Sequence, residues 1–149
     1  MRDRLLLAID QFDPGQAAVD FTIGLAAKSK ADVEVLHVRE LPRSIRIPPL
    51  ETVAEAQQLV DETVMRMRTA GIEADGRVCS AREDNVAGRI VEESTERGCD
   101  AIVLGSLRLR GLHSILGHGV RERVLKLSPL PVIVTPTALR CDRRGLALR

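Results

Sequence analysis

Short apolar runs alternate along the chain with longer stretches of helical period. The first run, RLLLAID over residues 4–10, is apolar without a break from Leu5 to Ile9, between an arginine and a closing aspartate. That is the pattern of a strand buried on both faces. A helix is predicted over 14–29, where Asp13 can cap the start, Pro14 suits the first turn, and Val19, Ile23 and Ala26/Ala27 recur on one face. DVEVLHV, residues 32–38, reads as a second strand. The following RELPRSIRIPPLET, residues 39–52, holds three prolines and no clear period, and reads as an irregular excursion. A second helix over 51–70 sets Val53, Ala56, Val60, Val64 and Met67 on one face, with Gly71 to end it.

The second half repeats the alternation. IEADGRVC, residues 72–79, is a weaker strand signal. Asp84 or Asn85 can start a third helix whose Val86, Ile90 and Val91 face inward and which Gly98 closes. DAIVLGS, residues 100–106, carries the clearest β signal in the chain. A fourth helix over 118–127 turns Val120, Val124 and Leu127 inward, and LPVIVTP, residues 130–136, is a fifth strand bracketed by Pro131 and Pro136. Strands and helices in this order require right-handed crossovers, hence an α/β domain with a parallel sheet covered by helices on both faces. One domain over 1–137 and a basic tail over 138–149 follow. The last eleven residues carry four arginines against one aspartate, a solvated end rather than a binding arm.

Composition narrows the function classes. A chain of 149 residues, 44% hydrophobic and 29% charged, is soluble and globular and can bury one sizeable core. Its net charge is +1, with two Phe and no Tyr or Trp, so bases have almost nothing to stack on and no nucleic-acid partner is expected. The apolar run in MRDRLLLAID is too short for a signal peptide or a span, which predicts no membrane partner. Cys79, Cys99 and Cys141 are odd in number and far apart, which points to a reducing cytoplasm and against a disulfide frame. His37, His113 and His118 lack a tight ligand spacing, so no metal site is expected.

With five strands placed, the chain resembles the universal stress protein family from about Leu5 to Pro136. The marks are LLLAID closing on Asp10, VLHV ending the second strand, DAIVLGS, and GVRERVLKLSPLPVIVTP as closing helix and strand. The resemblance implies a five-stranded parallel sheet in the order 3-2-1-4-5, and a homodimer through the last strand. Pro131, Val132, Ile133, Val134 and Thr135 are then the candidate interface, and pairing would cover an apolar sheet edge. In that strand order the chain reverses direction between strands one and four, and ligands of open α/β sheets bind at the carboxyl ends beside such a point.

ATP is the cofactor the resemblance implies. ATP-binding members carry G-x-x-G, nine residues, then G-[ST] after the fourth strand. Glycines there let backbone N–H groups approach phosphate oxygens, and the hydroxyl sits at a helix N-terminus that favours anions. Here Gly105 fits the first position, but Arg108 stands at the second, His118 at the third glycine and Gly119 at the hydroxyl. A one-residue shift puts Gly117 on the glycine position and leaves His118 unable to supply the hydroxyl. By the same resemblance Asp10 faces the ribose side of a nucleotide and the Val38 backbone faces the base. Ser106 can donate one hydrogen bond, Arg108 and Arg110 can supply charge to a phosphate, and Val120 follows the motif within the fourth helix.

Three functions remain in play. The first is a stress-response regulatory homodimer that holds ATP poorly and acts through an unidentified protein partner or a weakly bound ligand. The second is a nucleotide-sensing module with Arg108 and Arg110 as clamps. The third is a slow ATP hydrolase, for which the spacing picks out no nucleophile–base pair and no carboxylate pair, so no catalytic residue is assigned.

Overall fold

The computed structural model describes residues 2–10, 17–105 and 119–135, and the backbone of 140–141 and 147–148. Its five-stranded sheet comprises β1 (Arg4–Ile9), β2 (Asp32–Leu41), β3 (Ala74–Arg82), β4 (Ala101–Leu104) and β5 (Val132–Val134), in the order β3-β2-β1-β4-β5. Every neighbouring pair is parallel. Four helices connect them: α1 (Ala17–Ser29), α2 (Val53–Thr69), α3 (Val86–Glu96) and α4 (Val120–Leu127).

β1 is the middle strand, and its apolar run explains why. Leu5, Leu7 and Ile9 enter a core shared with α1 and α2, whereas Leu6 and Ala8 enter a second core shared with α3 and α4. Leu7 pairs with Val35 on one side and Val103 on the other, so the most apolar strands lie together at the centre.

The helix faces follow the 3.6-residue period with corrections at their ends. In α1 the buried residues are Ala18, Val19, Thr22 and Ala26; Ile23 is half-buried and Ala27 points to solvent, a step around the helix from Ala26. The proposed cap Asp13 and first-turn Pro14 lie outside the described residues. α2 buries Ala56, Val60, Thr63, Val64 and Met67, but Val53 is exposed. The helix begins after the expected Glu51, because Thr52 is its N-cap. The Thr52 Oγ1 accepts from the Glu55 amide at 3.1 Å and the Glu55 Oε2 accepts from the Thr52 amide at 2.7 Å. Asn85 caps α3 by position but makes no side-chain cap hydrogen bond. Val86 and Ile90 are buried there and Val91 is half-buried. In α4, Val120 and Val124 are buried and Leu127, expected inward, is exposed in the last turn as the helix leaves the sheet.

Two strands run further than their apolar patterns. β2 continues through Arg39, Glu40 and Leu41, which pair with Ser80, Ala81 and Arg82 of β3. These half-exposed residues are carried by ladder hydrogen bonds, so the excursion starts only at Pro42. In the basic tail, Arg140–Cys141 (β6) and Ala147–Leu148 (β7) form a short antiparallel pair that the sequence pattern does not signal.

Gly76 of β3 lies under α2, where an added Cβ would sit 2.6 Å from Val64 Cγ2 and also against Val60 Cγ1. Both neighbours are β-branched and stiff at χ1, so they cannot swing away. Gly76→Ala is therefore expected to lower stability by about 1–3 kcal/mol in urea unfolding with an unchanged m-value. A midpoint equal to the parent's would show that α2 and β3 part without cost to admit the methyl group.

Candidate functional site

A crevice opens at the carboxyl ends of β1 and β2, on the side of the sheet covered by α3. Ile9 and Asp10 contribute from the end of β1, and His37, Val38 and Glu40 from β2. Val86 and Ile90 of α3 form the back wall. The remaining side comes from the end of the excursion: Leu50 stands at the rim and Glu51 inside. Counting its open mouth, the pocket holds about 450 Å³ of empty space, but its interior room is only about 20 Å³. That is space for about one ordered water and far less than the few hundred Å³ of an ordinary small-molecule site.

His37 organises the crevice. Its ring is buried, with Nδ1 3.0 Å from the Ile9 carbonyl oxygen and Nε2 against Glu51 Oε1. A carbonyl oxygen only accepts, so Nδ1 carries a proton and donates it. The Nε2–Glu51 contact then needs a proton of its own, either on the imidazole or on the carboxyl. Glu51 is buried with it, and the Arg39 Nε donates to the Glu51 carbonyl at 3.0 Å. Further along the excursion, Arg43 reaches Glu83 at 3.6 Å and Asp84 at 3.3 Å.

The mouth is acidic. Burial, reinforced by the nearby Glu83 and Asp10 carboxylates, pushes the Glu40 carboxyl up to about 7. Its Oε2 is buried with no hydrogen-bond partner among the described residues.

Of the residues the sequence nominates, Asp10 and Val38 do meet at this crevice. Gly105 follows β4, where an added Cβ would make only ordinary contact with Ala18 at 3.7 Å. Gly119 precedes α4 with φ 91°, a left-handed conformation, and Val120 is packed in the α3/α4 core. A serine or threonine at 119 would be strained there, so glycine serves the backbone at the place where the family motif has its hydroxyl. Ser106, Arg108, Arg110, Gly117 and His118 lie outside the described residues. Pro131, just ahead of β5, and Val134 on it are exposed, Val132 and Ile133 are half-buried, and Thr135 is buried within the single chain.

His37, Glu40 and Glu51 are the residues that sequence reasoning passes over as parts of a site. A histidine inside an otherwise buried strand is the available signal for the first. For Glu51 the signal is its position just ahead of the T-x-x-E capping box, which places it outside the helix. Among the described residues no group of three or more His, Cys, Asp or Glu could hold a metal ion. No helix among them is long and apolar enough to cross a membrane. Cys79 and Cys99 are buried free thiols, and burial pushes Cys99 up to about 11.

Glu40 sets a pH dependence. Unfolded, its carboxyl titrates near the ordinary 4.5, whereas folded it keeps its proton up to about 7. The native state binds more protons between those limits, so stability falls as pH rises through that window and the whole cost is present above it. Glu40→Gln cannot ionise. It is expected to raise the urea midpoint at about pH 8, by about 1 kcal/mol or less because solvent screens the mouth, and to leave it unchanged at about pH 4. An equal gain at both pH values would assign the effect to something other than charge.

Comparison with known proteins places this geometry. The model of the universal stress protein family matches residues 1–136. The universal stress protein YxiE of Bacillus subtilis is 26% identical, the match covering 90% of this chain and 99% of that protein. A universal stress family protein from Burkholderia pseudomallei superposes with a TM-score of 0.70 at 26% identity, covering 91% of this chain and 96% of that one. The universal stress protein of Archaeoglobus fulgidus in complex with dAMP superposes with a TM-score of 0.67 at 23% identity, covering 90% and 98%. A family model that matches residues 1–136, with relatives that match over about nine-tenths of the chain, settles the assignment: the chain belongs to the universal stress protein family.

Proposed function

We propose that the chain is a cytoplasmic stress-response regulator, a homodimer that holds ATP weakly or not at all and acts through a protein partner or a small, weakly bound ligand. The observation that carries this reading is the crevice itself, whose interior room of about 20 Å³ is bounded by Glu51 of the chain's own excursion. Asp10, Glu40 and Glu51 add three carboxyl groups to a place where a triphosphate would bring further negative charge. The phosphate side adds to the argument, because Arg108 and His118 replace glycines and Gly119 lacks a hydroxyl. One charge-assisted hydrogen bond contributes about 1.5–3 kcal/mol, too little to stand in for several converging backbone donors.

A nucleoside monophosphate is the second reading. It asks far less of the loop after β4, and the Archaeoglobus fulgidus relative was solved with dAMP. Asp10 and Val38 flank the place where its sugar and base would lie, and Arg108 or Arg110 would meet its single phosphate.

Titration calorimetry on protein freed of bound nucleotide separates the two. ATP is expected to bind with a Kd weaker than about 100 μM; a Kd of about 1 μM or tighter, about −8 kcal/mol, would overturn the main reading. AMP binding tighter than ATP, and weakened by Arg108→Ala, would establish the second.

The dimer rests on β5. It pairs with β4 on one side, while its other edge is open among the described residues and carries Val134, 37% exposed. An open strand with apolar side chains is ordinarily paired or covered. Light scattering at micromolar concentration is expected to give twice the chain mass, and Val134→Asp to give the monomer. A parent protein of monomer mass would remove the dimer from the proposal.

A further inference from the structure

The stretch from Pro42 to Glu51 is poorly held by apolar burial. Ile45 is fully exposed, and Ile47 and Leu50 are 58% and 65% exposed, so most of its hydrophobic side chains remain in water. Its fixed points are polar. Arg43 meets Glu83 and Asp84 at the β3–α3 turn, and those three side chains are themselves exposed. Exposed pairs of this kind hold a loop weakly. The other fixed point is Glu51, whose carboxyl is buried against His37 and whose carbonyl accepts from Arg39.

That second point is built differently. The His37 ring cannot turn away without leaving the Ile9 carbonyl, because Nδ1 donates to it. Nε2 is thereby aimed at one place, and Glu51 occupies it. Both side chains are more than nine-tenths buried, so each would be left without a polar partner if the contact opened and water did not enter. The capping box begins one residue later, at Thr52, and anchors α2 independently of Glu51.

We propose that the His37–Glu51 contact is a latch that keeps the crevice closed with the chain's own segment, so that the residues ahead of α2 must swing out before the crevice can take a ligand. This rests on the reading of the crevice as a ligand site, but the closed state itself can be measured with no ligand present. The latch explains why a crevice with its back wall and both strand ends in place has room for about one water. It also makes Glu51 a positioning residue that controls access.

The chemistry of the contact dictates the variants. Glu51→Ala removes the partner of Nε2. Glu51→Gln keeps it, because an amide N–H can donate to a neutral Nε2 while Nδ1–H still serves Ile9. Hydrogen exchange read by mass spectrometry on the full chain is expected to show residues 42–51 exchanging about tenfold faster or more in Glu51→Ala, with α2 still protected, and near the parent rate in Glu51→Gln. Exchange in 42–51 already as fast in the parent as in Glu51→Ala would overturn the latch. Should Glu51→Ala lose protection in α2 as well, the imidazole ¹⁵N signals of His37 in the parent decide the matter. Two protected nitrogens at a fixed shift support a closed ring, and a freely exchanging ring sinks it.

Titration with AMP as the probe completes the test. Affinity is expected to rise about tenfold in Glu51→Ala and to stay near the parent value in Glu51→Gln. Measurable AMP binding that is the same in all three proteins would overturn the gating role. Faster exchange in Glu51→Ala with no AMP bound by any variant would uphold the closed segment and count against a nucleotide as the ligand.

Discussion

Residues 5–9 of β1 are all buried, and because neighbours along a strand point to opposite faces, neither face of β1 can be given to water. Helices must therefore cover the sheet on both sides, and the connections that place them there are right-handed crossovers. With β1 central, the chain builds outward to β2 and β3 on one side and to β4 and β5 on the other. The crevice opens at the carboxyl ends of that central strand and of β2, so its position is a consequence of where the most apolar segment had to go. Neither the site's position nor the wall that α3 gives it required any residue selected for binding.

What fills that crevice is decided by polar groups that the geometry leaves over. The Ile9 carbonyl stands at the point where the neighbouring loops part, and it is satisfied by the His37 ring. A buried polar group ordinarily finds such a partner, and here the partner brings a second nitrogen that needs one in turn. Glu51 supplies it, which draws the end of the excursion inward. The chain of requirements runs from one main-chain oxygen to the placement of a loop. It also sets Glu51 beside Asp10 and Glu40 at the same opening, where burial first, and then the Glu83 and Asp10 carboxylates, raise the titration of Glu40.

This division marks what could be read from the sequence. The strands, the two covered faces of the sheet and most inner faces of the helices follow from periodicity, since Ala56, Val60, Val64 and Met67 recur at helical spacing and are buried together, whereas the strand order is implied only by the family resemblance. The misassigned positions sit at helix ends. Val53 and Leu127 keep the period but lie where the helix has not yet met the sheet, or has just left it. Asp10 and Val38 are legible as site residues through the family resemblance alone, and both line the crevice. His37 read only as an isolated histidine without metal-ligand spacing, and Glu51 as the first residue of a helix. Their roles depend on a contact across fourteen positions of chain and on the register of β1 against β2, neither of which leaves a periodic trace.

The same logic accounts for the charge buried under α3. Glu93 is 1% exposed, with Arg89 3.0 Å and Arg77 3.6 Å from its oxygens, and Arg97 reaches Glu34 of β2 at 3.7 Å. Burial raises the Glu34 carboxyl and the Arg97 guanidinium opposes it, so desolvation is only partly offset. Networks of this kind contribute little net stability compared with apolar packing of the same volume, and their better-supported effect is on register. A slide of α3 by one turn would strand a buried carboxylate without its cations, whereas the apolar contacts of Val86, Ala87 and Ile90 would tolerate the shift more readily. Val86 and Ile90 are also the back wall of the crevice, so the helix whose register these ion pairs oppose shifting is the helix that walls the site.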